Sequence, residues 1–420
     1  MMDELLSRLN RPLLKRIIEY FPGDEPFYLV GGVIRDALLN RRSYDLDFVT
    51  PGDALKIARH IADRLDAAYF PLDKNRKVAR LILKPEKYTE IDGNNVGRID
   101  FSSFQGVDLL NDLKGRDFTM NAIAAEVHQL DQLIDPLGGA IDLVTKRLRA
   151  CSETSFLDDP VRILRAIRFA VDLELKISPD TLQLIRQASQ KLPEVSNERL
   201  RDELFRILAQ SHPSTALRLL DKLNVLEPVM PEICMLKVIE QSPPHVMDVW
   251  DHTMDFITRL EDVMEVLVDK YKPDKSGNLS MGLIELKLGR YRNKFQEHYS
   301  KELNPDRSLR GLIFLAGLYH DVGKYKSQKK AENGKIRFIE HEHIGSDLVK
   351  KRGISLRLSN AEIERMVILV KHHMRPSLLS HEKSLPTRRA VYRFFRDTGE
   401  AGQRNRRNPL PEIPWLSRLG

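Results

Sequence analysis

Only two cysteines, Cys151 and Cys234, stand in this chain of 420 residues. That scarcity excludes a disulfide framework and a cysteine-built metal site, and a reducing compartment is expected. Long apolar runs are missing as well: nothing approaches the roughly 18 residues that a membrane-spanning helix needs. The opening Met1-Met2-Asp3-Glu4-Leu5-Leu6 has no basic segment ahead of an apolar core. No export signal or membrane partner is therefore expected, and the cytoplasm is the expected compartment. Aromatic residues are sparse at 7%, while 42% of residues are hydrophobic and 30% charged. This composition suits two to four compact units with cores of their own. The net charge of +7 is compatible with a polyanionic partner, but over this length it is too modest to identify one.

The chemistry gathers first in residues 28–49. Tyr28-Leu29-Val30 leads into Gly31-Gly32, where a short helix is expected over Val33–Leu39, and after a basic loop a strand carries Asp45 and Asp47. Alternation on that strand turns both carboxylates to one face while Leu46 and Phe48 point into the core. Two carboxylates so placed form a hard-oxygen donor set for Mg²⁺, which is usually held by one or two carboxylates together with substrate phosphates. The Gly-Gly turn lets backbone N–H groups approach a triphosphate at the helix start. Singly, an Asp-x-Asp is mostly a solvated strand face and a Gly-Gly pair only a turn. Together, Gly31-Gly32-Val-Ile-Arg35-Asp36 followed by Asp45-Leu-Asp47 resembles the signature of the DNA polymerase β-like nucleotidyltransferases. The likeness is to the bacterial branch that holds tRNA CCA-adding enzymes and poly(A) polymerases.

That resemblance implies roles for further residues. Asp45 and Asp47 would be catalytic and bind Mg²⁺, with Gly31, Gly32 and Arg35 in the nucleotide cradle. Asp100, on a neighbouring strand, would be a third carboxylate that orients the primer hydroxyl, or else an exposed strand-end acid. Leu113-Lys-Gly-Arg116-Asp117-Phe-Thr-Met-Asn121-Ala122 is similar to the family's Arg-Arg-Asp-Phe-Thr-x-Asn-Ala, with Gly115 in place of the first Arg. Arg116 would hold a phosphate as a cationic fork, Asp117 would accept from a ribose 2′-hydroxyl, and Asn121 would lie close to the triphosphate. The segment from Ile134 to Leu143 resembles the family's Asp-Pro-x-Gly-Gly-x-x-Asp-Leu, and Asp135 and Asp142 are expected to be scaffold. From Leu157 to Ala170, Asp159 ahead of Pro160 is sound helix-start chemistry. In the family an acid and an arginine here read the Watson–Crick edge of the incoming base, so Asp159 and Arg162 are the selectors, and Arg165 joins the nucleotide-binding set. A carboxylate accepts from an exocyclic amine and a guanidinium donates to ring acceptors, a pattern that cytosine and adenine share.

Periodicity predicts an amphipathic lead helix over 1–22, a helix over Ala54–Leu65, strands over Val78–Leu83 and Arg98–Phe101, and a mobile loop over Lys84–Gly97. The helix after Asp159 would bury Leu164, Ile167 and Val171. Another, over Asn197–Gln210 with Ser196 as N-cap, would bury Leu200, Leu204, Ile207 and Leu208.

A second set of motifs runs through the C-terminal half: Trp250-Asp-His252-Thr, His320-Asp321-Val-Gly-Lys324, His341-Glu-His-Ile-Gly and Lys371-His-His373-Met. A lone His-Asp pair is usually structural, but this ordered set resembles the HD phosphohydrolase domain. The resemblance implies a divalent-metal site of His252, His320 and Asp321, with His341 and either His372 or His373 nearby for a second metal or a phosphate, and Lys324 on a phosphate. The last ligand is usually an Asp on a late helix. Here either Asp397 substitutes or the set is incomplete, so weak or absent hydrolase activity is expected.

The expected fold is α+β: a polymerase β-like head of a small mixed sheet with helices, an all-α neck and body, and an α-helical HD domain. The expected divisions are an N-terminal helix (1–24), a catalytic head (25–148), a neck that binds RNA and the nucleobase (149–230), and an HD domain (245–400) with an insertion at 272–305. A tail (401–420) follows. The expected activity is addition of CCA, from CTP and ATP, to the 3′ end of tRNA. CC-only, A-only and poly(A) addition to other RNA are open alternatives, as is a reading in which the HD domain is the catalyst and the head binds RNA. The oligomeric state is open.

Overall fold

The computed structural model describes residues 12–22, 25–41, 43, 45–84, 98–243, 247–269, 279–379 and 386–399. The expected loop over Lys84–Gly97 lies almost wholly outside them, as do the tail and residues 1–11 of the lead helix. The chain divides into two compact units, one of residues 1–162 and 173–185, the other of residues 163–172 and 186–420.

The first unit is built on a seven-stranded sheet in the order β3-β4-β5-β2-β1-β6-β7. Its strands are β1 (Tyr28–Val30), β2 (Asp45–Thr50), β3 (Ala68–Asp73), β4 (Val78–Ile82), β5 (Arg98–Ser103), β6 (Ala124–Glu126) and β7 (Leu133–Ile134). β2 and β5 run parallel, and β2 is antiparallel to β1 on its other side, so the sheet is mixed. Helix α1 (Pro12–Tyr20) is followed by α2 (Gly32–Leu38) and α3 (Ala54–Leu65). Asp53 caps α3 by accepting from the Leu55 and Lys56 amides at 3.1 and 3.4 Å. Ala54, Ile57, Ala58, Ile61 and Leu65 form its buried stripe. Leu46, Phe48, Leu81, Ile99 and Phe101 are buried as well, and the Phe48 and Phe101 rings stack at 5.1 Å. Strand alternation therefore leaves Asp45, Asp47, Arg80 and Asp100 together on the other face of the sheet.

The sequence reading omitted β3. Pro71 sits in the middle of it, and a proline argues against a strand except at a sheet edge, which is where β3 lies.

The second unit is almost entirely helical. Helix α5 (Arg162–Asp172), which follows the short α4 (Leu109–Lys114) of the first unit, opens at the division between the units. It buries Ile163, Leu164, Ala166 and Ile167, while Val171 is only half-buried. Next come α6 (Asn197–Leu208), α7 (Val249–Leu267), α8 (Leu309–Leu318), α9 (His341–Ser355), α10 (Asn360–His372) and α11 (Arg388–Thr398). Leu200, Leu204, Ile207 and Leu208 are buried on α6, but Ser196 makes no side-chain capping bond there. The polar stretch expected as an insertion is helical over Leu279–Leu288 and Arg292–Ser300. Beyond the head the expected all-α body also carries two short hairpins, Glu302–Asn304 with Arg307–Ser308 and Gln328–Lys330 with Ile336–Phe338. With the large sheet in the head and mainly helices beyond it, the fold class is α+β.

Candidate active site

In the first unit, register brings the charged residues into a row. Asp47 is paired with Asp100 across β2 and β5, and Asp100 with Arg80 across β5 and β4. Asp45 lies two residues from Asp47 on the same face. Arg80 grips Asp100 as a fork, Nε to Oδ1 at 2.8 Å and Nη2 to Oδ2 at 2.7 Å. Asp47 is pushed up to about 6 by burial first, then by the charge of Asp100 and of Asp45, while Arg116 and Arg80 pull the other way. Crowded acids of this kind suit a cation, and the donors are the hard oxygens that Mg²⁺ accepts.

The Gly31 turn closes over this row. Gly31 has φ +76°, and a Cβ there would lie 3.3 Å from Nη1 of Arg116 and 3.4 Å from Oδ2 of Asp47. Glycine is thus required by conformation and favoured by the close approach. On α2, Arg35 donates to Asp36 at 2.8 Å and to Asn121 Oδ1 at 2.7 Å. Asn121 in turn donates to Asp117 Oδ1 at 2.9 Å, which also accepts from the Phe118 amide at 2.8 Å. Gly31, Arg35, Asp47, Arg116, Asp117 and Asn121 are thus linked around one turn, and both Asp117 and Asn121 are buried.

Arg162 reaches the same segment. It donates to the Gly115 carbonyl at 2.8 Å, the Arg116 carbonyl at 3.2 Å and the Ser155 hydroxyl at 3.0 Å. Its distance to Asp159 is 3.8 Å. Arg165 belongs to the second unit, where it lies 3.5 Å from Glu203. Asp135 accepts from the Gly139 and Ala140 amides, and Asp142 from Thr119 and Arg149; both serve local turns. The sequence reading missed Asp112, the buried acid that accepts from Arg116 at 3.3 and 3.1 Å. It also missed Arg80. The spacing of Asp112 and Arg116 at i and i+4 was a usable signal for the first, but nothing local pointed to the second.

In the second unit, four helices bring His252, His320, Asp321, His341 and His373 to one centre. Nε2 of His320 and of His341 lies 3.3 Å from an Asp321 oxygen, that of His373 at 3.5 Å and that of His252 at 3.6 Å. Nδ1 of His320, His341 and His373 donates to the carbonyls of Gly317, Phe338 and Val370 at 2.7, 2.9 and 2.7 Å. Those bonds turn Nε2 of each ring toward Asp321, where a neutral ring offers a lone pair to a metal and a charged ring a proton to the carboxylate. The donor set therefore fits a divalent ion. Burial alone would raise the Asp321 carboxyl, yet His320 and the hydrogen bonds from His320, His341 and His373 hold it well below the usual range. Gly323 allows the turn: a Cβ there would fall 1.9 Å from the His341 carbonyl oxygen.

Two residues named for this centre have partners of their own. Lys324 is bound to Asp321 at 2.7 Å and to Gln241 at 2.8 Å, so it is a buried partner of the centre. Asp397 is held by Arg375 and Arg396 at 2.8 Å each and joins no ligand cluster among the described residues. Of the two adjacent histidines, His373 joins the ligand cluster and His372 does not.

Fold and sites define a nucleotidyltransferase head joined to helical segments. Residues 27–149 match the poly A polymerase head domain, residues 174–236 the probable RNA and SrmB-binding site of polymerase A, and residues 293–408 the HD domain. An A-adding tRNA nucleotidyltransferase of Deinococcus radiodurans is 30% identical over 352 residues, 82% of this chain and 68% of that protein. A CC-adding tRNA nucleotidyltransferase of Geobacter sulfurreducens is 42% identical over 209 residues, 50% of this chain and 46% of that one. The match thus spans a little under half of the Geobacter protein's length. A solved tRNA nucleotidyltransferase, complexed with a primer tRNA and an incoming ATP analog, shares the fold at a TM-score of 0.58 with 22% identity, over 96% of this chain and 92% of that one. The chain belongs to the tRNA nucleotidyltransferase and poly(A) polymerase family. No described helix is long and apolar enough to cross a membrane.

Proposed function

We propose that this chain is a template-independent RNA nucleotidyltransferase that adds CCA, from CTP and ATP, to the 3′ end of tRNA. The observation that carries the reading is the meeting of Asp47 and Arg116 at the Gly31 turn, with Asp45 two residues along the same strand face. The RNA 3′-hydroxyl attacks the α-phosphate of the nucleotide, and pyrophosphate leaves. Asp45 and Asp47 would hold Mg²⁺, which when bound supplies charge stabilisation to the triphosphate and lowers the pKa of the attacking hydroxyl. Arg116, anchored by Asp112, takes up phosphate charge, and the Gly31-Gly32 backbone admits the triphosphate to the start of α2. Asp117 accepts from the ribose 2′-hydroxyl, Asn121 lies beside the triphosphate, and Asp159 and Arg162 read the base. Most of the rate enhancement then comes from positioning and fixed charge.

The test offers purified protein a tRNA ending at the discriminator base, with Mg²⁺ and CTP, ATP or both, and resolves products by single nucleotides. Two additions with CTP and a third only with ATP support the reading. Arrest after two marks a CC-adding enzyme, addition of A alone to tRNA ending in CC marks an A-adding one, and a ladder of adenosines on any RNA marks a poly(A) polymerase. No addition to either tRNA overturns it. The His-Asp centre would hold a divalent ion of its own, with weak or absent hydrolysis. Metal analysis and a phosphodiesterase assay on the purified chain check that statement.

A further inference from the structure

We propose that Arg80 is a positioning residue of the head, one that holds Asp100 out of the metal-binding pair and lowers the charge of the carboxylate row so that the bound ion stays exchangeable. This rests on the reading of Asp45 and Asp47 as that pair. Three acids face the same way on two adjacent strands, and with all three available the row would be a tight cation trap. The fork from Arg80 takes both oxygens of Asp100, at 2.8 and 2.7 Å, and so occupies the chelating edge of that carboxylate. Two carboxylates then remain, the number suited to an ion that keeps several waters and arrives with substrate phosphate.

The pair is poorly explained as a brace. Its side chains are 32% and 27% exposed, and part-exposed ion pairs add little stability. β4 and β5 are already joined by their backbone ladder, and the apolar packing lies on the opposite face. The field of Arg80 also extends beyond its partner, since Asp45 and Asp47 both stabilise its charged form.

The test is Mn²⁺ binding to the full chain, read from the loss of the free-ion electron paramagnetic resonance signal. Protein carrying Asp45→Ala with Asp47→Ala defines the background from the His-Asp centre. Arg80→Gln is expected to tighten head binding about tenfold, because it removes a cation and releases Asp100. Arg80→Lys keeps the charge but not the fork, and is expected to tighten binding clearly less than Arg80→Gln. Asp100→Asn leaves the Arg80 charge uncompensated and is expected to weaken binding. In the incorporation assay Arg80→Gln lowers kcat while reducing the metal concentration needed for half-maximal rate; a residue that merely braced the sheet would raise that concentration. Unchanged or weaker Mn²⁺ binding by Arg80→Gln overturns the proposal, as does equal tightening by Arg80→Lys. If the double alanine protein binds as much Mn²⁺ as the unsubstituted chain, the metal-pair reading itself fails, and the part given to Arg80 falls with it.

Discussion

Asp47 and Asp321 are the same residue type at the hearts of two sites, yet their environments push them in opposite directions. Asp47 is raised to about 6 by burial first and then by the other acids it faces across the sheet. Asp321 is ringed by four imidazoles and a lysine and is held well below the ordinary carboxylate range despite its own burial. The first arrangement carries an internal repulsion that a cation relieves. The second is already balanced by protein groups, and an ion entering it competes with Lys324 for the same carboxylate.

The largest effect expected concerns the repulsive site. Asp45→Ala with Asp47→Ala should lower nucleotide incorporation at least about a thousandfold while RNA binding, measured by filter retention, stays within a fewfold. Parallel loss of RNA binding would mean that the pair supports the fold instead.

Attraction can be broken more cleanly at Glu203. That buried acid accepts from Arg168 at 2.9 Å and Arg206 at 2.7 Å and lies 3.5 Å from Arg165. Burial would raise it, but the three guanidiniums hold it below the usual glutamate value. Glu203→Ala strands the buried Arg168, while Arg165 and Arg206 can turn to water, and should cost the second unit about 3 kcal/mol in a denaturant titration. A loss under 1 kcal/mol would show that water reaches the cluster. Asp321→Asn should cost about 2–4 kcal/mol, because it leaves Lys324 with Gln241 as its remaining described partner. It should also abolish metal retention by the His-Asp centre, and retention on dialysis would remove Asp321 from the ligand set.

How far these sites were legible depends on the range of their contacts. Gly31, Asp45, Asp47, Arg116 and Asn121 fall in short motifs whose spacing carries the chemistry, and they meet in space. Arg80 could not be seen. Its partner Asp100 is 20 residues away, and only the β4–β5 register, which no local pattern states, puts them opposite each other. Gln241 was hidden likewise, since its bond to Lys324 spans 83 residues. The motif shows the charge of Lys324 but not its burial, which depends on Asp321 and Gln241. Asp397 occupies the expected region of the chain, but Arg375 and Arg396 claim it, a competition that a motif does not record.

The smallest effect expected reads the cost of the charged Asp47 itself. Asp47 has a folded-state value of about 6 against an ordinary 3.8, so the folded head binds this proton more tightly than the unfolded chain does. The stabilisation that protonation brings is fully present below about pH 4 and is lost as pH rises through about 6. At neutral pH and without divalent metal, the charged carboxylate therefore weakens the fold. Asp47→Asn, which copies the protonated form, should stabilise the head by about 1–3 kcal/mol at pH 7.5, with the advantage vanishing by about pH 4. The measurement is a pair of urea titrations in chelator at several pH values. Adding Mg²⁺ should stabilise the unsubstituted protein and leave Asp47→Asn nearly unmoved, because only the charged row gains from the ion. A substituted protein less stable than the original at pH 7.5 would show that hydrogen bonding to Asp47 outweighs its repulsion from Asp45 and Asp100, and the contrast with Asp321 would then be one of degree rather than sign.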